Sequence, residues 1–168
     1  MDNMSELERA KALRNCLGSF VTGVTVVTTR DANNNPRGLV VNSFASVSLN
    51  PPLVSWNLAL GSPSLDAFMK SGAFAVNIMS HGSEETTMRF ARSVEDKFDG
   101  VDWHAAELDL PILNDAMATL ICETDRTITL GDHEMFVGRV LKFNEEDMQP
   151  LVFHRGAFTA LADTAEVA

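Results

Sequence analysis

Tyrosine is absent from the 168 residues of this chain, and tryptophan and cysteine are scarce at two residues each. Without tyrosine, no phenolic hydroxyl is available to hydrogen-bond a ligand. Cys16 and Cys122 make neither a disulfide framework nor a metal-binding spacing, and they read as two reduced, mostly buried thiols. His81, His104, His133 and His154 are scattered, with no His-Glu-x-x-His or Cys-x-x-Cys pattern, so no metal site is expected. Neither a Gly-x-Gly-x-x-Gly after a strand nor a Gly-x-Ser-x-Gly elbow is present, which argues against a Rossmann domain and a serine hydrolase. No apolar run approaches the roughly 18–20 residues that a membrane-spanning helix needs. Basic residues are few, 13 Lys and Arg against 23 Asp and Glu, for a net charge of −10. That balance argues against nucleic acid and anionic membranes as partners. It does not argue against a phosphorylated cofactor, which a few local donors can hold. The first ten residues, M-D-N-M-S-E-L-E-R-A, lack the pattern of a signal peptide, and a cytoplasmic location is expected.

What is present suits one domain spanning 1–168, with a hydrophobic fraction of 45% and no internal repeat or linker. Residues 5–17 read as an amphipathic helix through Leu7, Ala10, Leu13 and Leu17, opened by a Ser5–Glu8 capping box and stopped at Gly18. A Val- and Thr-rich strand at 20–29 leads through the turn D-A-N-N-N-P-R-G into a second strand at 39–49. Pro51 and Pro52 break it, and 53–58 resumes as a third strand. Ser64 is placed to cap a short helix at 65–71 that Gly72 ends. A strand at 74–79 and a second short helix from Ser83 to about Arg92 come next. Strands at 116–130, 134–143, 151–154 and 157–161 complete the body, and 162–168 should fray. Six or more strands with short helices predict a mainly β fold, a closed antiparallel barrel with helical decoration, although the pattern alone does not separate a barrel from a sandwich.

The most informative stretch is 36–54, P-R-G-L-V-V-N-S-F-A-S-V-S-L-N-P-P-L-V. An apolar strand pattern turns abruptly rich in hydroxyls and stops at a double proline. Buried hydroxyls and amides need partners, supplied by backbone or by a ligand. Ser46 and Ser48 alternate on this strand and so should share a face, where they could hold a phosphate or ribityl group. Together with F-V-T-G-V-T-V-V-T-T (20–29), G-D-H-E-M-F-V-G-R-V (131–140) and P-L-V-F-H-R-G-A-F (150–158), this stretch resembles the flavin reductase family, the small reductase components of two-component flavin monooxygenases.

The resemblance implies an FMN-binding split β-barrel, antiparallel and Greek-key-like, usually homodimeric with a flavin near the subunit interface. It implies FMN or FAD as the flavin, NADH or NADPH as hydride donor, and a separate monooxygenase that receives reduced flavin. The segment from Gly38 through Leu39, Val40, Val41, Asn42, Ser43 and Phe44 would lie along the isoalloxazine ring. Family members often carry Thr where this chain has Val40, and tyrosine around the 150–158 block, where Phe153 and Phe158 stand here. Asn57, Ser62, Ser64 and Arg89 are expected around the ribityl chain and phosphate. His133 is the candidate contact to the nicotinamide or to the open face of the flavin, with Asp132 either orienting its ring or only capping the turn, and His154 and Arg155 are candidates for the nucleotide's ribose or pyrophosphate. Hydride transfer needs close stacking of two rings more than an acid or base. The alternative is a flavin-binding electron-transfer protein of the same fold without reductase turnover.

Overall fold

The computed structural model describes residues 4–161; the tail at 162–168, expected to fray, lies outside the described residues. The elements run α1 (Glu6–Leu17), β1 (Thr22–Gly23), β2 (Thr25–Arg30), β3 (Pro36–Val41), β4 (Ala45–Leu49), β5 (Pro52–Ala59), α2 (Leu65–Ser71), β6 (Ala73–Met79), α3 (Glu84–Ala91), β7 (Trp103–Ala105), β8 (Pro111–Leu113), β9 (Ala116–Leu130), β10 (His133–Glu145), β11 (Val152–His154) and β12 (Ala157–Thr159). A single 3-10 turn, Glu107–Asp109, separates β7 from β8.

Seven strands form one antiparallel sheet in the order β3-β2-β6-β9-β10-β5-β4, and β1, β11 and β12 form a second, smaller sheet. The large sheet curls until its two ends approach. There the Ser43 hydroxyl accepts from the Asn57 N–H at 2.9 Å, linking the chain just after β3 to β5. Bulges between Val137 and Gly138 and between Val140 and Lys142 help β10 to bend. This is the split barrel.

The barrel is filled by aromatic rings. Trp56 of β5 stacks on Phe136 of β10, with centroids 4.6 Å apart and planes 10° from parallel. Phe68 of α2 and Phe74 of β6 meet Trp56 edge-on at 4.9 and 5.6 Å. Each such side chain contributes about 1.5–3 kcal/mol by leaving water. Gly138 makes this packing possible, because a Cβ there would stand 2.3 Å from the Phe74 ring. Outside the barrel, Phe90 of α3 packs with Val24, Val26 and Met79 against the other face of the sheet. Gly38 admits it, since a Cβ at that position would come within 2.8 Å of Phe90.

Several expectations need correction. The strand expected at 20–29 divides, with β1 joining the small sheet and β2 the large one. The strand expected at 39–49 stops at Val41 and restarts at Ala45, because the chain crosses the seam of the barrel between them. A bulge at Val47 places Ser46 opposite Val54 and Ser48 opposite Leu53. Adjacent residues of a strand point to opposite faces, so Ser46 and Ser48 do not share one. The capping box of α1 forms as read, but Leu7, Leu13 and Leu17 stay exposed and none of its residues is buried. Cys16 is likewise exposed, while Cys122 is buried with its thiol pushed up to about 12 by desolvation. The β7–β8 hairpin went unread because three-residue strands leave no periodic signal.

Candidate functional site

β3 ends the large sheet and pairs only with β2, so alternate backbone N–H and C=O groups along its other edge have no strand partner. Three adjoining cavities open along this strand. One of about 580 Å³ lies between the end of β3 and the start of β10, lined by Leu39, Asn42, Asn57 and His133 among others. A second, of about 470 Å³, is more apolar, bounded by Val40, Met88, Phe90, Phe153 and Phe158. A third, of about 840 Å³, extends past Arg37 and Gly38 beneath the loop that follows α3. The first two share Leu39, Val40, Asn42 and Ser62; the last two share Pro63, Ser64, Ala91 and Lys97. The result is one groove along the free edge of β3.

Ten of the residues expected at the site line this groove: Gly38, Leu39, Val40, Val41, Asn42, Ser43, Asn57, Ser62, Ser64 and His133. Ser64 does not cap α2 through its side chain, because its φ of −90° and ψ of −7° depart from the extended backbone of a capping residue. At the far end, His133 opens β10 two residues after Gly131, whose φ of 60° allows the tight turn. Its Nδ1 lies 2.7 Å from the Asp132 carboxylate, and that hydrogen bond holds the Asp132 carboxyl below its usual range.

Other expected residues sit elsewhere. Phe44 packs against the barrel core. Ser46 and Ser48 lie on β4, outside the three cavities. Arg89 turns away from the groove: its Nε and one Nη donate at 3.0 Å to the carbonyls of Lys97 and Asp96. His154 and Arg155 are also outside, Arg155 in a left-handed turn with its N–H donating to the Gly18 carbonyl at 2.9 Å. Their neighbours Phe153 and Phe158 line the groove instead, meeting at 5.9 Å.

Lys97 lies in the Asp96–Phe98 run, which resembles a common family stretch and reads from the sequence as structural or as part of the pyridine-nucleotide side rather than as a flavin contact. It is half-buried, donates to the Phe90 carbonyl at 2.8 Å, and is the one cation that lines both the 470 and the 840 Å³ cavities. Burial lowers the pKa of its ammonium. Two devices present it: the Arg89 bonds to the 96–97 carbonyls, and Asp96, whose carboxylate accepts from the N–H groups of Phe98 and Asp99. The Asp-Lys-Phe run at 96–98 was its signal in the sequence.

A flavin asks for a flat apolar slot, polar groups along one edge, and donors for a phosphate. Val40, Phe153 and Phe158 answer the first and the unpaired edge of β3 the second. Ser62, Ser64 and Lys97 answer the third.

Comparison with known proteins points the same way. The chain is 40% identical over 151 residues to an NADH-dependent FMN reductase, SmoA, of Agrobacterium fabrum, covering 90% of this chain and 86% of that one. It is 38% identical to HsaB, the reductase subunit of a flavin-dependent monooxygenase of Rhodococcus jostii, covering 90% of this chain and 77% of that one. It spans only 50% and 51% of the length of two further relatives, from Rhizobium meliloti and Acinetobacter baylyi. Among solved structures, the NADH:FAD oxidoreductase SgcE6 of Streptomyces globisporus, in complex with NAD and FAD fragments, superposes with a TM-score of 0.90 at 34% identity, over 99% of this chain and 100% of that one. The family model described as flavin reductase like domain matches residues 17–162, and the chain belongs to that family.

Proposed function

We propose that this protein is an NAD(P)H-dependent flavin oxidoreductase that passes reduced flavin to a partner monooxygenase. The observation that carries the reading is the groove itself: an unpaired strand edge, an apolar slot, hydroxyls and one presented lysine in a continuous line, with a histidine at its end. A flavin bound there supplies the acceptor for the hydride of the nicotinamide. The chain's own groups bind and orient. Backbone groups of β3, with Asn42 and Ser43, meet the polar edge of the ring, and Ser62, Ser64 and Lys97 take the phosphate. Lys97 takes that role in place of Arg89 because Arg89 lies outside the three cavities, its Nε and one Nη held by the 96–97 carbonyls.

His133 faces the nicotinamide. Because Asp132 accepts from Nδ1, the neutral ring keeps its proton there and presents Nε2 as an acceptor, suited to a carboxamide N–H. His154 and Arg155 sit beside the aromatic pair that walls the slot and are assigned to the outer parts of the nicotinamide nucleotide.

We also propose a homodimer, with 1–168 acting as one flavin reductase-like domain. Its support is α1, none of whose residues is buried, followed by Phe20 at 78% exposure. A 12-residue helix is marginal alone in water and gains stability by packing its apolar face. A cytoplasmic location accords with the two unpaired cysteines. Among the described residues no helix is long and apolar enough to cross a membrane.

The test mixes purified protein with NADH or NADPH and FMN, FAD or no added flavin, and follows the nicotinamide absorbance. Rapid loss that depends on added flavin is expected. Tight flavin binding without nicotinamide oxidation would instead establish the electron-transfer alternative.

A further inference from the structure

Lys97 and its neighbour Phe98 are both held by Phe90. The Lys97 ammonium donates to the Phe90 carbonyl at 2.8 Å, and the Phe98 ring meets the Phe90 ring edge-on, with centroids 4.9 Å apart and planes at 85°. Phe90 is 1% exposed, is seated against Gly38 of β3, and forms part of the wall of the 470 Å³ cavity. The apolar slot and the lysine beside it therefore share one support.

The contacts continue outward from Phe98. It meets Trp103 of β7 edge-on at 5.4 Å, and the Arg30 guanidinium of β2 lies 5.4 Å from the Trp103 ring centre. Arg30 is itself fixed, its Nε donating to the Asp109 carbonyl at 2.7 Å. Three rings and a guanidinium thus tie α3, the loop after it, β7 and β2 together. Edge-on contacts set the angle between rings as well as their distance, because a positive ring edge seeks a negative ring face. Of residues 92–102, Phe98 alone is buried. The bonds from Arg89 and Asp96 fix the path of the backbone there, and Phe98 is the side chain that anchors the loop in the core. A lysine loses much rotamer freedom when it is fixed, so a loop that holds it in place beforehand lowers the cost of binding.

We propose that Phe98 is a positioning residue for flavin binding, the anchor that sets Lys97 against the flavin phosphate. The inference rests on the assignment of the groove to a flavin and of Lys97 to its phosphate. Phe98 lines neither the 470 nor the 580 Å³ cavity, so it acts on the flavin through the lysine.

FMN and riboflavin differ by the phosphate alone, so the ratio of their dissociation constants isolates that contact. Both constants are measured by fluorescence quenching on the full chain for wild type, Phe98→Leu, Phe98→Tyr, Lys97→Ala and the double variant Lys97→Ala with Phe98→Leu. Phe98→Leu keeps an apolar side chain in the core and removes the ring. It should weaken FMN binding roughly 2- to 10-fold, the scale of an aromatic pair, and leave riboflavin binding unchanged. Phe98→Tyr keeps the ring and should keep the wild-type ratio. In the Lys97→Ala background the leucine substitution should move neither constant, since no ammonium is left to position. Trp103→Leu, one ring further from the lysine, should lower the FMN advantage by a smaller factor, and it supplies the reading where Phe98→Leu does not fold. Equal weakening of both flavins by Phe98→Leu, or an FMN loss that persists in the Lys97→Ala background, would mean that Phe98 shapes the site directly and would overturn the proposal. An unchanged ratio in Phe98→Leu, or in Trp103→Leu where that variant is the one read, would overturn it as well. An unchanged ratio in Lys97→Ala would overturn the phosphate assignment and the proposal with it. Failure of both flavins to bind wild-type protein would overturn the flavin groove itself.

Discussion

β5 and β10 each contribute to two surfaces, and the two have little in common. Facing inward, Trp56 and Phe136 are fully buried, and the barrel they fill is apolar and aromatic. Facing outward, Asn57 and His133 line an open groove of hydroxyls, amides and unpaired backbone. Alternation along a strand lets a single sequence build both, since consecutive side chains serve opposite faces. The barrel holds the strands in place by volume, so the groove can leave polar groups unpartnered. Stability and binding should therefore respond to different substitutions.

The largest effect expected is on the inside. Trp56→Ala should lower unfolding free energy by about 3–5 kcal/mol, because the stacked and edge-on rings around it cannot collapse into the space. Trp56→Phe should cost much less, since the buried indole N–H has no hydrogen-bond partner to lose. Denaturant titration measures both, and a similar loss for the two would show that the indole makes a bond that the packing does not reveal.

On the groove side, Lys97→Ala should weaken FMN binding roughly 10- to 100-fold, the equivalent of about 1.5–3 kcal/mol for a hydrogen bond to a charged group, with little change in denaturation midpoint. Fluorescence quenching reads the affinity. If instead stability falls and affinity holds, Lys97 serves the 96–99 loop alone.

His133→Ala should raise the KM for NADH roughly 2- to 10-fold, the equivalent of about 0.5–1.5 kcal/mol for one neutral hydrogen bond, and leave flavin affinity nearly unchanged. Collapse of flavin binding in this variant would reassign the residue to the flavin.

The smallest effect concerns the hairpin that carries β3. The Asp31 carboxyl is held down to about 2 by the Asn35 backbone N–H and by Arg37. A depressed carboxylate stabilises the fold above its unfolded value of about 3.8, and that contribution is lost as pH falls through about 2. The difference in melting temperature between wild type and Asp31→Asn should be constant above about pH 5 and shrink towards pH 2. A difference that does not change with pH would mean that Asp31 acts through shape rather than charge.

Much of this division was legible beforehand. The run from Gly38 to Ser43, with Ser62 and Ser64, announced a polar site on a β strand, and all of these residues reached the groove. What the sequence hid was geometry that no period encodes. One extra residue at Val47 moved Ser46 and Ser48 to different faces. Arg89 had the right charge, but its partners are backbone carbonyls of a loop, which no residue type betrays. The amphipathic stripe of α1 marked an apolar face without saying what it packs against.

The unpaired edge of β3 has a consequence for handling the protein. A row of backbone groups kept open for a ligand is equally open to a strand from another molecule, the usual start of edge-to-edge aggregation. Pro36 and Arg37 at the head of the strand, a residue without an N–H and a charge, act as gatekeepers at one end only. Towards Val41 the strand carries Leu39 and Val40 and has no such guard. Ligand seated on that edge would act as its cap, so the protein should store and concentrate better with flavin present than without it.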